Sequence, residues 1–561
     1  MTSLSCFQTL PQHIIRTIVR YYLIMQNSGL CDKACDKTYN KASEFSLLHT
    51  SHQWRYVFAQ ESLAHLCIYL SDKPDTTKTF YKWPSIIGPP CFDTEHLVNT
   101  LFIGYIGWRP LKTPMSAESL CNLVFGSRQY DHVQTVRVFL DLDGSFDTEG
   151  TVQTLGDLFA QLKHIAPNCR KLDIQSIDSE ETNFGYSPCK LVAAMLAGLS
   201  DKISCISTSQ SSSSLDVFVP ASFSHFTHLT RLKFSCNGVI EWFSTVVQKN
   251  SRTLTRLTAS NLNRICVRAM IFDSEETPVV YPQMERLKLR FNSEYLEYNQ
   301  EQFCHFPNIK RLILLSYYPV CSSVFVNSSS TLEYLQITVL PRIVQFAQNY
   351  PVFGSKQLSN LKHASISFEG RLEDDQQMYR VRETELLFVK KLLMIPKVLS
   401  RFDMPTTGES PMSSCLVDHQ LLVQIQVLNF SHLRFEFSGL VSLLKQAPLL
   451  RVLDLTIRDT RPMIDGVSDQ DIVGYIGKQD YPLSKYLCRL SISSDTIVNC
   501  FENYVLTIAL LAVGCPRLTV VDLMNLNIVL VAKGLLEIAR SGEFSVVCLN
   551  QLFRITFGMI F

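Results

Sequence analysis

Four residues near the N-terminus have the types that bind a transition metal: Cys31-x3-Cys35-x13-His49-x2-His52. Two thiolates and two imidazoles are the donor set of a structural zinc site. The histidine pair is tighter than the usual gap of about three to five residues, and both histidines fall in a helical stretch beside Trp54. Helix-surface histidines explain them without a metal. A second cluster, Asp141-Leu-Asp143-Gly144-Ser-Phe-Asp147-Thr-Glu149, has the oxygen density of a calcium loop but not the register of one. It follows a strand-like stretch at 136–140 and precedes a helix from Thr151, so a polar turn capped by Asp147 or Thr148 accounts for it. The chain holds no G-x-S-x-G, P-loop, dinucleotide-binding glycine pattern or H-E-x-x-H. The expectation is therefore a protein that is not an enzyme and uses no cofactor and no metal.

What positions the remaining polar residues is a repeat. One phrase, apolar-x-x-apolar-x-apolar, recurs as Leu229-Thr-Arg-Leu232-Lys-Phe234, Met284-Glu-Arg-Leu287-Lys-Leu289, Ile309-Lys-Arg-Leu312-Ile-Leu314 and Leu332-Glu-Tyr-Leu335-Gln-Ile337. It returns as Leu450-Arg-Val-Leu453-Asp-Leu455, Leu487-Cys-Arg-Leu490-Ser-Ile492 and Leu518-Thr-Val-Val521-Asp-Leu523. Weaker copies begin at Val133, Cys169, Leu254, Leu361, Ile425 and Leu552. The starts from 229 to 361 follow one another at 25, 30, 25, 23 and 29 residues. Pro167, Pro282, Pro307, Pro448 and Pro516 each stand two places before a phrase, where proline stops a helix and presets an extended chain. Helical faces precede them: Val152, Leu155, Phe159, Leu162 and Ile165 form one, and Leu440, Leu443, Leu444 and Ala447 another.

The unit is helix, proline turn, short strand. Stacked units give parallel strands on one side and helices on the other. A doubly wound domain would cover both strand faces and make them apolar throughout. Here Arg286, Lys288, Asp454 and Asp522 interrupt the apolar positions, so one face is expected to be wet. Gaps of 60 residues (169 to 229) and 64 (361 to 425) must hold degenerate units or insertions. Ser207 to Ser214 reads as a surface loop in the first, and Gln376 to Leu399 as a helix-like filling of the second.

Bulk properties agree with a long folded chain. Of 561 residues, 46% are hydrophobic and 18% charged, too apolar for disorder and too long for one core. Lys plus Arg number 52 against 51 acidic residues, so no basic excess points to nucleic acid. The start lacks a basic, then apolar, signal segment, and the longest apolar runs, such as 505–513, are about half a membrane helix. No membrane partner is expected. Without an export signal the 18 cysteines read as reduced, mostly buried thiols, which places the chain in cytoplasm or nucleus.

Phrases such as Ala166-Pro167-Asn168-Cys169-Arg170-Lys171-Leu172-Asp173-Ile174 resemble the leucine-rich repeats found behind F-box motifs. The N-terminus carries the matching half of that resemblance. Leu10-Pro11 opens a helix with an apolar stripe of Ile14, Ile15, Ile18, Val19 and Leu23, and a second helical stretch ends at Trp54-Arg55. This order is similar to the F-box, in which such helices pack on the Skp adaptor of an SCF-type ubiquitin ligase. The implied fold class is α/β: a leucine-rich-repeat-like solenoid over 131–561, behind a small all-α segment at 1–70 and a connecting region at 71–130. The implied role is substrate recognition for ubiquitin ligation. Leu10, Pro11, Ile14, Ile15, Ile18, Val19, Leu23 and Trp54 would bind the adaptor, and the solenoid would bind a target protein. The same helices also suit a plain cap on a scaffold, since a solenoid end needs one. On the strand face, the two-residue period turns Lys233, Arg286, Lys288 and Arg311 outward as one expected target-binding ladder, with an acidic segment of the target as its complement.

Overall fold

The computed structural model describes residues 11–27, 57, 65–70, 78–81, 98–107, 118, 129–142, 157, 159–177, 202–210, 226–235, 241–262, 264–291, 305–317, 330–339, 358–368, 398–403, 422–459, 483–493, 511, 514–524, 533, 536, 540 and 556–558. The chain divides into two units, Met1–Val279 and Val280–Phe561. In the first, β1 (His65–Leu70) pairs antiparallel with β2 (Lys78–Tyr81) and parallel with β3 (Thr100–Gly107). From β3 the ladder runs in chain order through β4 (Thr135–Leu142), β5 (Lys171–Ile177), β6 (Cys205–Gln210), β7 (Arg231–Ser235) and β8 (Arg256–Leu262), every pair parallel. Among the described residues this unit also carries the N-terminal α1 (Gln12–Asn27), a helical stretch at 159–165, α2 (Glu241–Lys249) and α3 (Arg264–Ile271).

The second unit is a parallel ladder of β9 (Arg286–Phe291), β10 (Arg311–Tyr317), β11 (Tyr334–Val339), β12 (His363–Phe368) and β13 (Arg401–Asp403), each paired with the next. It continues through β14 (Val427–Glu436), β15 (Val452–Asp459), β16 (Arg489–Ser493), β17 (Val520–Met524) and β18 (Thr556–Gly558), with α4 (Phe437–Gln446) before β15. Each unit by itself has the parallel ladder of an α/β solenoid.

One device sets the register. A single carbonyl accepts the first amide of the next strand and the amide just before it: Glu285 O from Lys310 N and Arg311 N at 2.9 and 3.0 Å, Lys310 O from Glu333 N and Tyr334 N at 2.9 and 3.0 Å. The same pairing recurs from Asn99 O in the first unit to Cys488 O in the second. It locks the phrase of each strand against the phrase of the next. The apolar positions of the phrase then fall in one interior: Leu287, Leu289, Leu312, Leu314, Leu335, Ile337, Leu453, Leu455, Leu490 and Ile492 are all buried. Burying each contributes about 2 kcal/mol of transfer free energy.

The prolines have a sharper role than helix termination. In each case the amide that opens the phrase donates to the carbonyl just before the proline: Cys169 to Ala166 at 3.1 Å, Met284 to Tyr281 at 3.2 Å, Leu450 to Ala447 at 3.1 Å and Leu518 to Cys515 at 2.9 Å. Proline is thus the second residue of a β-turn, where its fixed φ is already correct. Other repeats close the same turn without it, as Leu361 does on Leu358 at 3.1 Å.

Both long gaps contain a strand. In the first, Ile203 and Ile206 are buried and lead β6, which pairs Ser207 with Asp173 and Gln210 with Ser176. Ser207 to Gln210 is therefore strand and not surface loop: the backbone pairing, indifferent to side-chain polarity, overrides the serine composition. In the second, Leu399 and Phe402 are buried, Phe402 within β13 and Leu399 two residues before it, so Leu399 leads into a strand instead of ending a helix. Residues 376–397 lie outside the described residues. The ladder also reaches back through β3, inside the stretch read from sequence as connecting region, where Val98, Leu101 and Ile103 occupy the buried positions of the same phrase.

Candidate functional site

The residue just before the central apolar position of each phrase starts a strand, and register stacks these residues in a column. In the second unit the column reads Arg286, Arg311, Tyr334, His363, Arg401. Two residues further along each strand runs a second column, Lys288, Ile313, Gln336, Ser365 and Asp403, which continues through Asn429, Asp454, Ser491 and Asp522. These two columns belong to the strand face of this unit, which Arg290 extends on β9.

Its beginning is cationic. β9 alternates without fault, with Arg286, Lys288 and Arg290 exposed and Leu287, Leu289 and Phe291 buried. Arg311 lies directly across from Arg286 in register and is also exposed. Beside them the neighbouring edge is neutral, because Lys310 Nζ meets Glu285 Oε1 at 2.9 Å and Lys362 Nζ meets Glu333 Oε2 at 3.4 Å. The hydrogen bond and charge of Glu285 raise Lys310 above its ordinary value.

The middle is a relay of rings and charges. The Arg311 guanidinium sits 4.1 Å from the centroid of the Tyr334 ring, and the Tyr334 ring meets His363 in a T-shaped contact at 4.5 Å. His363 Nε2 lies 2.6 Å from Asp403 Oδ2, and Arg401 Nε donates to the same carboxylate at 3.0 and 3.2 Å. Burial pushes the Asp403 carboxyl up, but the hydrogen bonds and charges of His363 and Arg401 outweigh it and hold the group below its ordinary value. Asp403 is thus an ionised acceptor, and His363 Nε2 carries the donated hydrogen.

Towards the end of the face a carboxylate is buried under an exposed arginine. Asp522 is only 4% exposed and accepts from Arg489 Nε at 2.7 Å, while Asp454 is half-buried. The expectation of a wet face therefore fails at Asp522, which a guanidinium from the neighbouring strand covers, and holds in part at Asp454. It does hold at Arg286 and Lys288.

Of the residues expected from sequence to bind a target, Arg286, Lys288 and Arg311 come together on β9 and β10. Lys233 is exposed on β7 of the first unit, between Ser207 and Thr258 in register. Sequence reasoning missed Arg290, Tyr334, His363, Arg401 and Asp403. Reading the third phrase position down successive repeats would have found the first-column members, except where the phrase at Leu399 went unrecognised.

At the N-terminus, Pro11 precedes α1 and its carbonyl accepts from Ile14 N and Ile15 N at 2.9 and 3.2 Å. Ile15 and Val19 are completely buried, whereas Ile14 and Ile18 are 38% and 39% exposed. Leu23 is on the α1 backbone; its side chain, Leu10 and Trp54 lie outside the described residues, as do Cys31, Cys35, His49 and His52. Asp141 belongs to β4, and 143–149 lie outside the described residues too.

Among the described residues no group of three His, Cys, Asp or Glu is placed to hold a metal ion, and no helix is long and apolar enough to cross a membrane. Cys169, Cys205 and Cys488 are free thiols, and burial pushes Cys169 up to about 11 and Cys515 up to about 12, far from a reactive thiolate. Compared with known proteins, the chain matches no family model and no curated sequence.

Proposed function

We propose that this chain is the substrate-recognition subunit of an SCF-type E3 ubiquitin ligase, binding a Skp-type adaptor through its N-terminal helix and a target protein through its solenoid. The reading rests first on α1. The helix is anchored by Ile15 and Val19 and still leaves Ile14 and Ile18 exposed one turn apart. An exposed isoleucine pair on an otherwise anchored helix supports an apolar partner surface. Catalysis would belong to other subunits, so the chain would need no cofactor and would act in cytoplasm or nucleus. Target capture would use the cationic strand face at Arg286, Lys288 and Arg311; Lys233, exposed on β7 of the first unit, would be a target contact of that unit by itself.

A second reading is a scaffold whose N-terminal helix only caps the solenoid, and the complete burial of Ile15 and Val19 favours it. The test is co-purification of the full chain with a Skp adaptor. Stoichiometric adaptor is the expected result. Its absence from a correctly folded chain would leave the scaffold.

A further inference from the structure

We propose that the strand face of β9 and β10 is a docking site for an extended acidic protein segment that carries a carboxylate at every second residue. This rests on the target-receptor reading but not on the ubiquitin-ligase one. The carrying observation is the juxtaposition of Arg286, Lys288, Arg290 and Arg311, all exposed, on two adjacent strands of a chain with a formal net charge of only +1.

The face contains its own comparison. Further along, each arginine of the same column has a carboxylate to meet: Arg401 meets Asp403, and Arg489 meets Asp522. Around β9 the corresponding position holds Lys288, and among the described residues no carboxylate pairs with any of the four cations. Arg286 and Arg311 face each other in register across adjacent strands about 4.8 Å apart, an arrangement that is destabilising between like charges. An anion placed between them removes the repulsion.

The spacing selects the kind of anion. Arg286, Lys288 and Arg290 stand at alternate positions of one strand, about 6.6 Å apart, which is also the repeat of same-side side chains in any extended peptide. A segment lying along β9 with carboxylates at i, i+2 and i+4 meets all three at once. Arg311, on the neighbouring strand, adds to the positive field beside that segment. Its guanidinium is held by the Tyr334 ring, and Tyr334 is backed by His363, so less side-chain entropy is lost when it binds. A single-stranded nucleic acid has a similar charge spacing but also calls for open aromatic faces on which bases stack. The ring beside this patch is already engaged by Arg311 and His363. The acidic peptide is the better fit.

The test is fluorescence anisotropy with the purified full chain and three probes. The first is a labelled peptide with Glu at alternate positions, the second a peptide of the same composition with the Glu residues contiguous, and the third a single-stranded oligonucleotide. The alternating peptide should bind tightest and weaken with added salt. The triple variant Arg286→Glu, Lys288→Glu, Arg290→Glu should weaken it by at least about tenfold without lowering the melting temperature, because all three side chains are exposed and Arg286→Glu also removes the repulsion from Arg311. Tyr334→Ala should weaken it by less, and Tyr334→Phe should restore it. Equal binding of the two peptides, tighter binding of the oligonucleotide, or an unaffected triple variant would each overturn the proposal. Adaptor co-purification, measured separately on the same variant, should be unchanged, so failure of the ligase reading is distinguishable from failure of this one.

Discussion

His363 on β12 donates from Nε2 to Oδ2 of Asp403 on β13 across 2.6 Å, joining strands whose residues are 40 positions apart in the chain. Arg401 closes on the same carboxylate from within β13 at 3.0 Å. β13 is only three residues long, so this side-chain linkage reinforces a short backbone ladder.

Acid stability should report on that linkage. The Asp403 carboxyl lies below its ordinary value of 3.8, because what His363 and Arg401 supply exceeds the effect of burial. A carboxyl with a lower pKa in the folded state contributes stability above its unfolded value and loses it as pH falls through the folded one. Asp403→Asn should therefore lower the melting temperature at neutral pH, with the gap to wild type closing as pH drops through and below the ordinary carboxylate range. Thermal unfolding across that range measures it. A gap independent of pH would contradict the assignment.

Asn250 is completely buried at the end of α2 and makes three hydrogen bonds with its side chain. Its Nδ2 donates to Phe226 O and Val246 O at 2.8 Å each, and its Oδ1 accepts from Leu229 N at 2.8 Å. Asn250→Ala removes the three side-chain bonds, leaving Val246 O its backbone bond from the residue 250 amide, and should cost about 3 kcal/mol in denaturant unfolding. Asn250→Asp should be at least as damaging, since a carboxylate cannot donate to the two carbonyls. A loss below about 1 kcal/mol for both would mean water replaces the amide.

The pair Arg489–Asp522 is lopsided: the arginine side chain is 51% exposed and the aspartate side chain 6%. Removing the arginine leaves a buried carboxylate without its cation, whereas removing the aspartate releases an arginine into water. Arg489→Ala should cost about 3 kcal/mol and Asp522→Ala distinctly less. Equal losses would show that Asp522 finds another partner.

The fold was legible where packing alone decides residue type. Leu287, Leu289, Leu312 and Leu314 must be apolar to share the interior, and their spacing announces the strand before any pairing is known. β6 and β13 were illegible because their phrases are short of leucine: Ile203 and Ile206 are followed by serine and threonine, and Phe402 by Asp403. Only the register of β5 and β12 places them. The cationic part of the site followed from alternation within one strand. The His363–Asp403 contact did not, because it depends on pairing across a gap in which no repeat had been recognised.

The last prediction separates the two readings of α1. Ile14 and Ile18 form one exposed pair, and Ile15 and Val19 form a buried pair displaced around the helix by one residue, about 100°. The two pairs should fail in different ways. Ile14→Asp with Ile18→Asp places charges in water on the free chain, so the melting temperature should hold. The same charges would be buried unpaired against an adaptor, at a cost of about 3 kcal/mol or more, and co-purification should be lost. Ile15→Asp with Val19→Asp puts charges into the chain's own interior and should lower the melting temperature whether or not an adaptor exists. If the exposed-pair variant keeps its adaptor, that helix face is not the docking surface. If wild type captures no adaptor and only the buried-pair variant has a phenotype, α1 is a cap and the scaffold reading stands.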